Sequence, residues 1–292
     1  MSQTYIAMTG LSLTENLGSQ MWHFASLYAI SRRTGHRIVF FREHADLGKG
    51  LRLHRHFAAL PFELVSIESL SEAERQHWVY PVPRDLLVDS GVFQLDPQRN
   101  YNFTGLFSSY RYWYPRRLEV AQLYRFDDAT LAQAGALVAR AGAGGRQVVA
   151  VHVRRDDYLN AIFINLTRDY YDAAFAEFDP AQVCFLVFSD DLAWCREAFA
   201  DRPNLCFSDA PSPVVDLCAM SLCDHNIIAN SSFSFWGAFL NRHAGKRVFC
   251  PAKTLKSDRA IPKSVTTDRP LPRSIRMLSG FTSRCTMPRA CA

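Results

Sequence analysis

Residues 147–159 read Gln147-Val148-Val149-Ala150-Val151-His152-Val153-Arg154-Arg155-Asp156-Asp157-Tyr158-Leu159. An apolar, β-branched run that ends abruptly in cations and carboxylates reads as a buried strand stopping at a polar site, hence a central strand of an α/β sheet. In open α/β sheets ligands sit beyond the carboxyl ends of the strands. His152, Arg154, Arg155, Asp156 and Asp157 are therefore where a ligand is expected. Successive residues of an extended chain point to opposite faces, so Arg154 and Arg155 do different work: one can clamp a phosphate while the other braces the loop. Guanidinium stays charged and offers forked donors to oxyanions, which makes a diphosphate a natural partner. The same spacing also fits a surface turn held by ion pairs, and the rest of the chain has to decide.

Two later stretches have the same form. Val183-Cys184-Phe185-Leu186-Val187-Phe188 runs into Ser189-Asp190-Asp191. A carboxylate there can accept the paired N1–H and N2–H₂ donors of guanine, which adenine cannot match, and it can equally cap the helix that follows. Asn226-Ile227-Ile228-Ala229 runs into Asn230-Ser231-Ser232, where a helix opens at once. Unpaired backbone N–H groups, the positive end of a helix dipole and two hydroxyls make a phosphate site, with plain capping by Ser231 or Ser232 as the alternative.

Outward from these stretches the pattern is strand and helix in alternation. Helices are expected over residues 168–178, 192–200, 214–223 and 233–243, with strands over 226–229 and 247–250. At the amino terminus a strand over residues 5–8 is followed by a polar turn and then by Met21, Phe24, Ala25, Tyr28 and Ala29 at helical spacing, with Ser19 as N-cap. That helix stops near Gly35, and residues 37–41 form the next strand, so the opening is a βαβ unit with a parallel sheet. Residues 51–100 are less regular, with a helical piece over 51–60 and strands over 62–67 and 86–88. Residues 118–140 read as one helix, and Ala141-Gly142-Ala143-Gly144-Gly145 is the best linker in the chain. The expected organisation is a first Rossmann-like domain over 1–141, a second over 146–262, and an irregular tail over 263–292, rich in Pro, Arg, Ser and Thr.

The chain has 292 residues, 48% hydrophobic and 21% charged, enough apolar material for two cores. A net charge of +5 suits an anionic ligand, and its 33 Lys and Arg are scattered without a basic stripe, which argues against nucleic acid as a partner. All eight cysteines lie at or after Cys184, none in a zinc-like spacing, and reduced, mostly buried thiols are expected. No charged n-region precedes an apolar stretch at the amino terminus, and no segment approaches the ~18 apolar residues of a membrane span. A cytoplasmic location is the expectation, with peripheral contact at the inner face of the membrane left open.

The central stretch resembles the HxRRxDY motif of GDP-fucose-dependent fucosyltransferases, most closely the α-1,2-fucosyltransferases of bacterial O-antigen type, glycosyltransferase family 11. His152, Arg154, Arg155, Asp157 and Tyr158 match, and Asp156 stands where that family usually has glycine. The turn before the first helix resembles the signature GGLGNQMFQYA, of which Leu17, Gly18, Gln20, Met21, Phe24 and Ala25 remain. Glu15 and Asn16 replace two glycines there, and Ser19 replaces an asparagine. Residues 101–110 resemble a GYFQS-type segment, and Phe188-Ser189-Asp190-Asp191 the family's second motif. Residues 230–241 resemble NSSFSWWGAWLN, with Phe235 and Phe239 in place of tryptophans, and residues 216–223 resemble the DLxLMSxC-like helix before it.

The resemblance implies a GT-B-like α/β fold, two Rossmann-like domains facing a cleft. It implies an inverting transfer of fucose from GDP-β-L-fucose to a galactose hydroxyl, in α-1,2 linkage, on an oligosaccharide or lipid-linked glycan. His152, Arg154, Arg155, Asp190, Asp191, Asn230, Ser231 and Ser232 would bind the donor, with Asp191 on guanine and Asp190 structural or assisting. No DxD triad occurs in the sequence, so no metal or other cofactor is expected, and Arg154 and Arg155 would neutralise the leaving diphosphate. For the base, Asp157 is the family-matched acid, although ion pairing to the arginines would make it a poorer base. Asp157 would then hold the arginine loop while Glu15 or Asp156 assists deprotonation. A binder of nucleotide sugar or glycan without catalysis, on the same fold, is the competing reading, motivated by Glu15, Asn16 and Asp156.

Overall fold

The computed structural model describes residues 4–14, 16–82, 88–107, 109–155, 164–252 and 275–277. The chain divides into two compact units, Met1–Arg125 and Phe126–Ala292. In the first, β1 (Tyr5–Ala7) leads into helix α1 (Leu17–Thr34) and β2 (Arg37–Phe41). Then come β3 (Glu63–Val65), β4 (Trp78–Val82), β5 (Tyr101–Gly105) and helix α2 (Arg117–Leu123). All the pairings are parallel, in the order β3-β2-β1-β5-β4. The βαβ opening is as the spacing predicts.

Helix α1 starts earlier than expected. Asn16, not Ser19, occupies the cap position, and the N–H of Gln20 already reaches the carbonyl of Asn16. Burial of Leu17 and Gly18 draws that first turn into the core. The helix ends on Gly35 at φ 82°, a left-handed conformation that a side chain disfavours. Gln20, fully buried, uses its amide as a staple: Nε2 donates to the Gly50 carbonyl and Oε1 accepts from the Arg52 N–H, each at 2.8 Å. The helix expected over 51–60 shrinks to the single turn Leu53–His56, and β4 is a strand that sequence reading missed. Of the strand expected over 86–88, residues 86 and 87 lie outside the described residues.

In the second unit the order is α3 (Asp128–Ala141), β6 (Gln147–Val153), α4 (Arg168–Phe175), β7 (Val183–Ser189), α5 (Leu192–Ala198) and β8 (Leu205–Phe207). It continues with α6 (Pro213–Leu222), β9 (His225–Ile227), α7 (Ser232–Leu240), β10 (Val248–Cys250) and β11 (Ile275–Met277). The sheet is parallel throughout, in the order β11-β10-β9-β6-β7-β8. This is the doubly wound order, with β6 and β9 flanking the point where the winding reverses.

Both faces of that sheet are covered, which is why its strands read as unbroken apolar runs. Val149, Val151 and Val153 pack with Tyr171, Phe175 and Phe185 on one face. Val148, Ala150, Leu186 and Phe188 pack with Leu137 of α3 and Val215 and Cys218 of α6 on the other.

That second face moves the expected boundary. The helix predicted over 118–140 breaks into α2 and α3, with Asp127 capping α3 through the Thr130 N–H at 2.7 Å. Ala134, Leu137 and Ala141 of α3 are buried in the second core, so the division falls at Arg125/Phe126 and not at the glycines of 142–145. Gly144 and Gly145, at φ 81° and 78°, serve as the turn between α3 and β6. The tail, expected to be irregular, supplies β11 beside β10. Cys184, Cys195, Cys206, Cys218 and Cys223 are free, as expected, whereas Cys250 is disulfide-bonded and departs from that expectation.

Candidate functional site

The carboxyl ends of β7, β6 and β9 lie side by side and bring the three sequence stretches together. In the β6–β7 pairing His152 faces Phe188 and Val153 faces Ser189, so Arg154 and Arg155 leave the sheet beside Asp190 and Asp191. Register alone therefore sets two cations against two carboxylates.

Arg154 pairs with Asp190, Nη1 to Oδ2 at 3.2 Å. Arg155 donates its backbone N–H to Asp190 Oδ1 at 3.0 Å and its Nε to Asp191 Oδ2 at 3.1 Å. Its guanidinium lies 4.1 Å above the ring of Trp194. Asp191 also accepts the Trp194 N–H on Oδ1 at 3.0 Å, which makes it the N-cap of α5, while its own N–H donates to Ser189 Oγ at 2.9 Å. The capping bond from Trp194 and then the Arg155 charge hold the Asp191 carboxyl below the usual aspartate range. The capping role thus falls on Asp191, the residue the resemblance assigns to guanine, and Asp190 is the acid that touches both arginines.

On the other side of β6, Ser231 caps α7, its Oγ accepting the Phe233 N–H at 3.3 Å. Asn230 donates Nδ2 to the Ile164 carbonyl at 2.9 Å, tying this strand end to the segment that returns toward α4. Ser232 opens the helix and is placed at its first turn as expected.

His152 connects the two sides. It points to the α6–α7 face of the sheet, as the even positions of β6 do, with its ring 5.7 Å from that of Phe233. The side chain is buried, and Nδ1 has no hydrogen-bond partner. Burial, with the Arg154 charge adding to it, pushes its pKa down to about 3, so the imidazole is neutral near pH 7. An orphaned ring nitrogen at a strand end fits a polar ligand group better than a packing role.

Sequence reading missed Trp194 and Tyr171, whose hydroxyl donates to the His152 carbonyl at 3.2 Å. Their one signal was an aromatic at the start of the helix after a polar strand end, which core packing produces just as often. Asp156, Asp157 and Tyr158, and in the first unit Glu15, lie outside the described residues. Among the described residues no group of three or more His, Cys, Asp or Glu could hold a metal ion, and no helix is long and apolar enough to cross a membrane.

The model of glycosyl transferase family 11 matches residues 2–261. The O-antigen biosynthesis glycosyltransferase WbnK of Escherichia coli is 26% identical over 284 residues, covering 82% of this chain and 93% of that protein. The mouse galactoside 2-alpha-L-fucosyltransferase Sec1 is 27% identical over 240 residues, covering 77% of this chain and 62% of its own length, so the chain spans less than two thirds of that relative. Among solved structures, the fucosyltransferase NodZ from Bradyrhizobium superposes with a TM-score of 0.55 at 14% identity, over 82% of this chain and 94% of that one. Identity that low speaks for the fold alone.

Proposed function

This chain belongs to glycosyl transferase family 11, and from that premise we propose that it transfers L-fucose from GDP-β-L-fucose to a galactose hydroxyl of a glycan, in α-1,2 linkage with inversion. The observation that carries the reading is the convergence of the Arg154–Arg155 loop, the Asp190–Asp191 pair and the Ser231-capped start of α7 at adjoining strand ends. Relatives named as galactoside α-1,2-fucosyltransferases support the choice of sugar and linkage.

In this reading the donor lies over the carboxyl ends of β6 and β9. Arg154 takes the leaving diphosphate while Arg155, pinned by Asp191 and Trp194, braces the loop. The start of α7, with Ser231 and Ser232, takes further phosphate oxygens. Asp191 keeps spare lone pairs for the guanine donors, and neutral His152 adds a contact. The acceptor is a galactose-containing glycan. Its hydroxyl oxygen attacks C1 of fucose opposite the diphosphate, the C1–O bond to the phosphate breaks, and the hydroxyl proton passes to a carboxylate. Asp157 holding the loop, with Glu15 or Asp156 assisting, remains the proposal for that proton. The positive charge of the arginines does the work a metal would otherwise do, since the sequence has no DxD triad.

The test is incubation with a panel of GDP- and UDP-sugars and galactose-terminated oligosaccharides, with products identified by mass spectrometry. Fucose added to O2 of galactose from GDP-fucose is the expected outcome. Transfer from a UDP-sugar only would overturn the donor, and GDP-fucose binding without turnover would establish the non-catalytic reading.

A further inference from the structure

We infer that Trp194, on the first turn of α5, is a positioning residue for the arginine loop, an inference that rests on the donor reading above. Arg155 is held from three directions: Nε on Asp191 Oδ2 at 3.1 Å, the backbone N–H on Asp190 Oδ1 at 3.0 Å, and the guanidinium plane 4.1 Å from the Trp194 ring centroid. The carboxylate fixes one edge of the guanidinium, and the indole covers one face. With 19% of its side chain exposed, Arg155 has little room to leave this arrangement.

Trp194 is itself fixed. Its N–H is capped by Asp191, and its ring meets Phe199 edge-on at 5.7 Å and 78°. Phe199 belongs to the buried core under β6 and β7. A continuous packed line therefore runs from the core through Trp194 to Arg155, and from the Arg155 backbone to Asp190, whose other oxygen holds Arg154. A partly exposed ion pair fixes geometry weakly by itself, because water competes for both partners. The indole face is what makes the Arg155–Asp191 pair a rigid one.

Trp194 acts through Arg155 and makes no contact of its own with the diphosphate in this reading. Its loss should misplace the charge that the transition state needs and leave ground-state donor binding nearly intact. Phe and Leu are both smaller than Trp and closer in bulk to each other, so the π face that only Phe keeps separates this role from core filling.

The experiment compares wild type with Trp194→Phe and Trp194→Leu in the full chain, measuring kcat, KM for GDP-fucose and Tm. Trp194→Leu is expected to lose about tenfold in kcat with KM changed less than about threefold, while Trp194→Phe, which keeps an aromatic face, recovers most of the rate. Equal rates in the two variants, whether both resemble wild type or both fall together with Tm, would overturn the inference. So would a rise in KM with kcat unchanged, which would make Trp194 a donor contact. If wild type turns over no GDP-fucose, the donor reading fails separately, and the Arg155 Nε–H resonance then decides. Its solvent exchange should quicken in Trp194→Leu and not in Trp194→Phe, and equal exchange in both refutes the lock.

Discussion

Arg154 is the side chain on which the proposed chemistry turns. It leaves the end of β6 paired with Asp190, where the proposed reading puts the leaving diphosphate. Arg154→Ala should cost about 2 to 4 kcal/mol of transition-state stabilisation, because an oxyanion loses a preorganised cation. Unchanged kcat/KM in that variant would remove Arg154 from the mechanism. Two side chains of the second unit, each shifted by burial, should leave opposite marks on the pH dependence of stability. His152, held near pKa 3 by burial, takes up a proton more readily unfolded than folded. Its contribution is present above pH 6.5 and lost on acidification, on the order of 2 kcal/mol between pH 6.5 and 5. Asp216, on α6, is pushed up to about 6 by burial, while Ser208 Oγ at 2.5 Å opposes that shift. Its contribution is present below pH 3.8 and lost as pH rises through 6. Urea titrations at several pH values should therefore show a shallower acid loss in His152→Gln and a shallower neutral loss in Asp216→Asn; parallel curves for wild type and variants would contradict both assignments.

Among the elements, α6 and α7 matter most to the site, because α7 presents Ser231 and Ser232 and leans on α6. The two helices approach closely at Gly237, where an added Cβ would lie 2.7 Å from the Met220 Cβ, a distance that requires backbone to move. Gly237→Ala should destabilise the fold by about 1 to 3 kcal/mol and displace the start of α7. Calorimetry should then show weaker GDP binding at temperatures where the variant is still folded. Wild-type stability would mean that the helices separate at no cost. The same elements show what was legible beforehand. From β6 onward the long strands and helices of the second unit were expected from their apolar period to within a few residues, because parallel strands covered on both faces must be apolar at every position, whereas α3 was expected only as the end of a longer helix. Of the short pieces between residues 42 and 82, β3 was expected, whereas the helix over 51–60 shrank to one turn and β4 was missed, since conformation there is set by staples such as Gln20 to Gly50 and Arg52, which leave no periodic trace.

For the whole molecule, the proposal predicts transfer that needs no divalent cation. Activity measured in excess EDTA should equal that in Mn²⁺, and loss in EDTA with recovery on adding Mn²⁺ would show that the arginines do not suffice. Each unit is an open parallel sheet with its own core, and in the second the winding reverses between β6 and β9. Ligand sites follow that reversal, because the connecting chains part there and leave a crevice at the carboxyl edge.

The candidate residues of this site stand out in the sequence because each lies in or just past the end of an apolar strand, and a strand that stops on charge advertises its own polar end. His152, Arg154, Arg155, Asp190, Asp191, Asn230, Ser231 and Ser232 were singled out in this way, and the doubly wound class of the second unit was legible too. Only the tertiary structure decided their division of labour. Cross-strand register, a property of pairs of strands, put Asp190 between the two arginines and Asp191 on Arg155. Packing of α5 over β7 then laid Trp194 on the Arg155 guanidinium, a contact 39 residues apart in sequence by subtraction of their numbers. The unit boundary went the same way: glycines mark where a chain can turn, but the face on which α3 buries Ala134 and Leu137 determines which core the helix joins. Local sequence records what a segment prefers, and burial against a distant partner, worth several such preferences at once, selects where it goes.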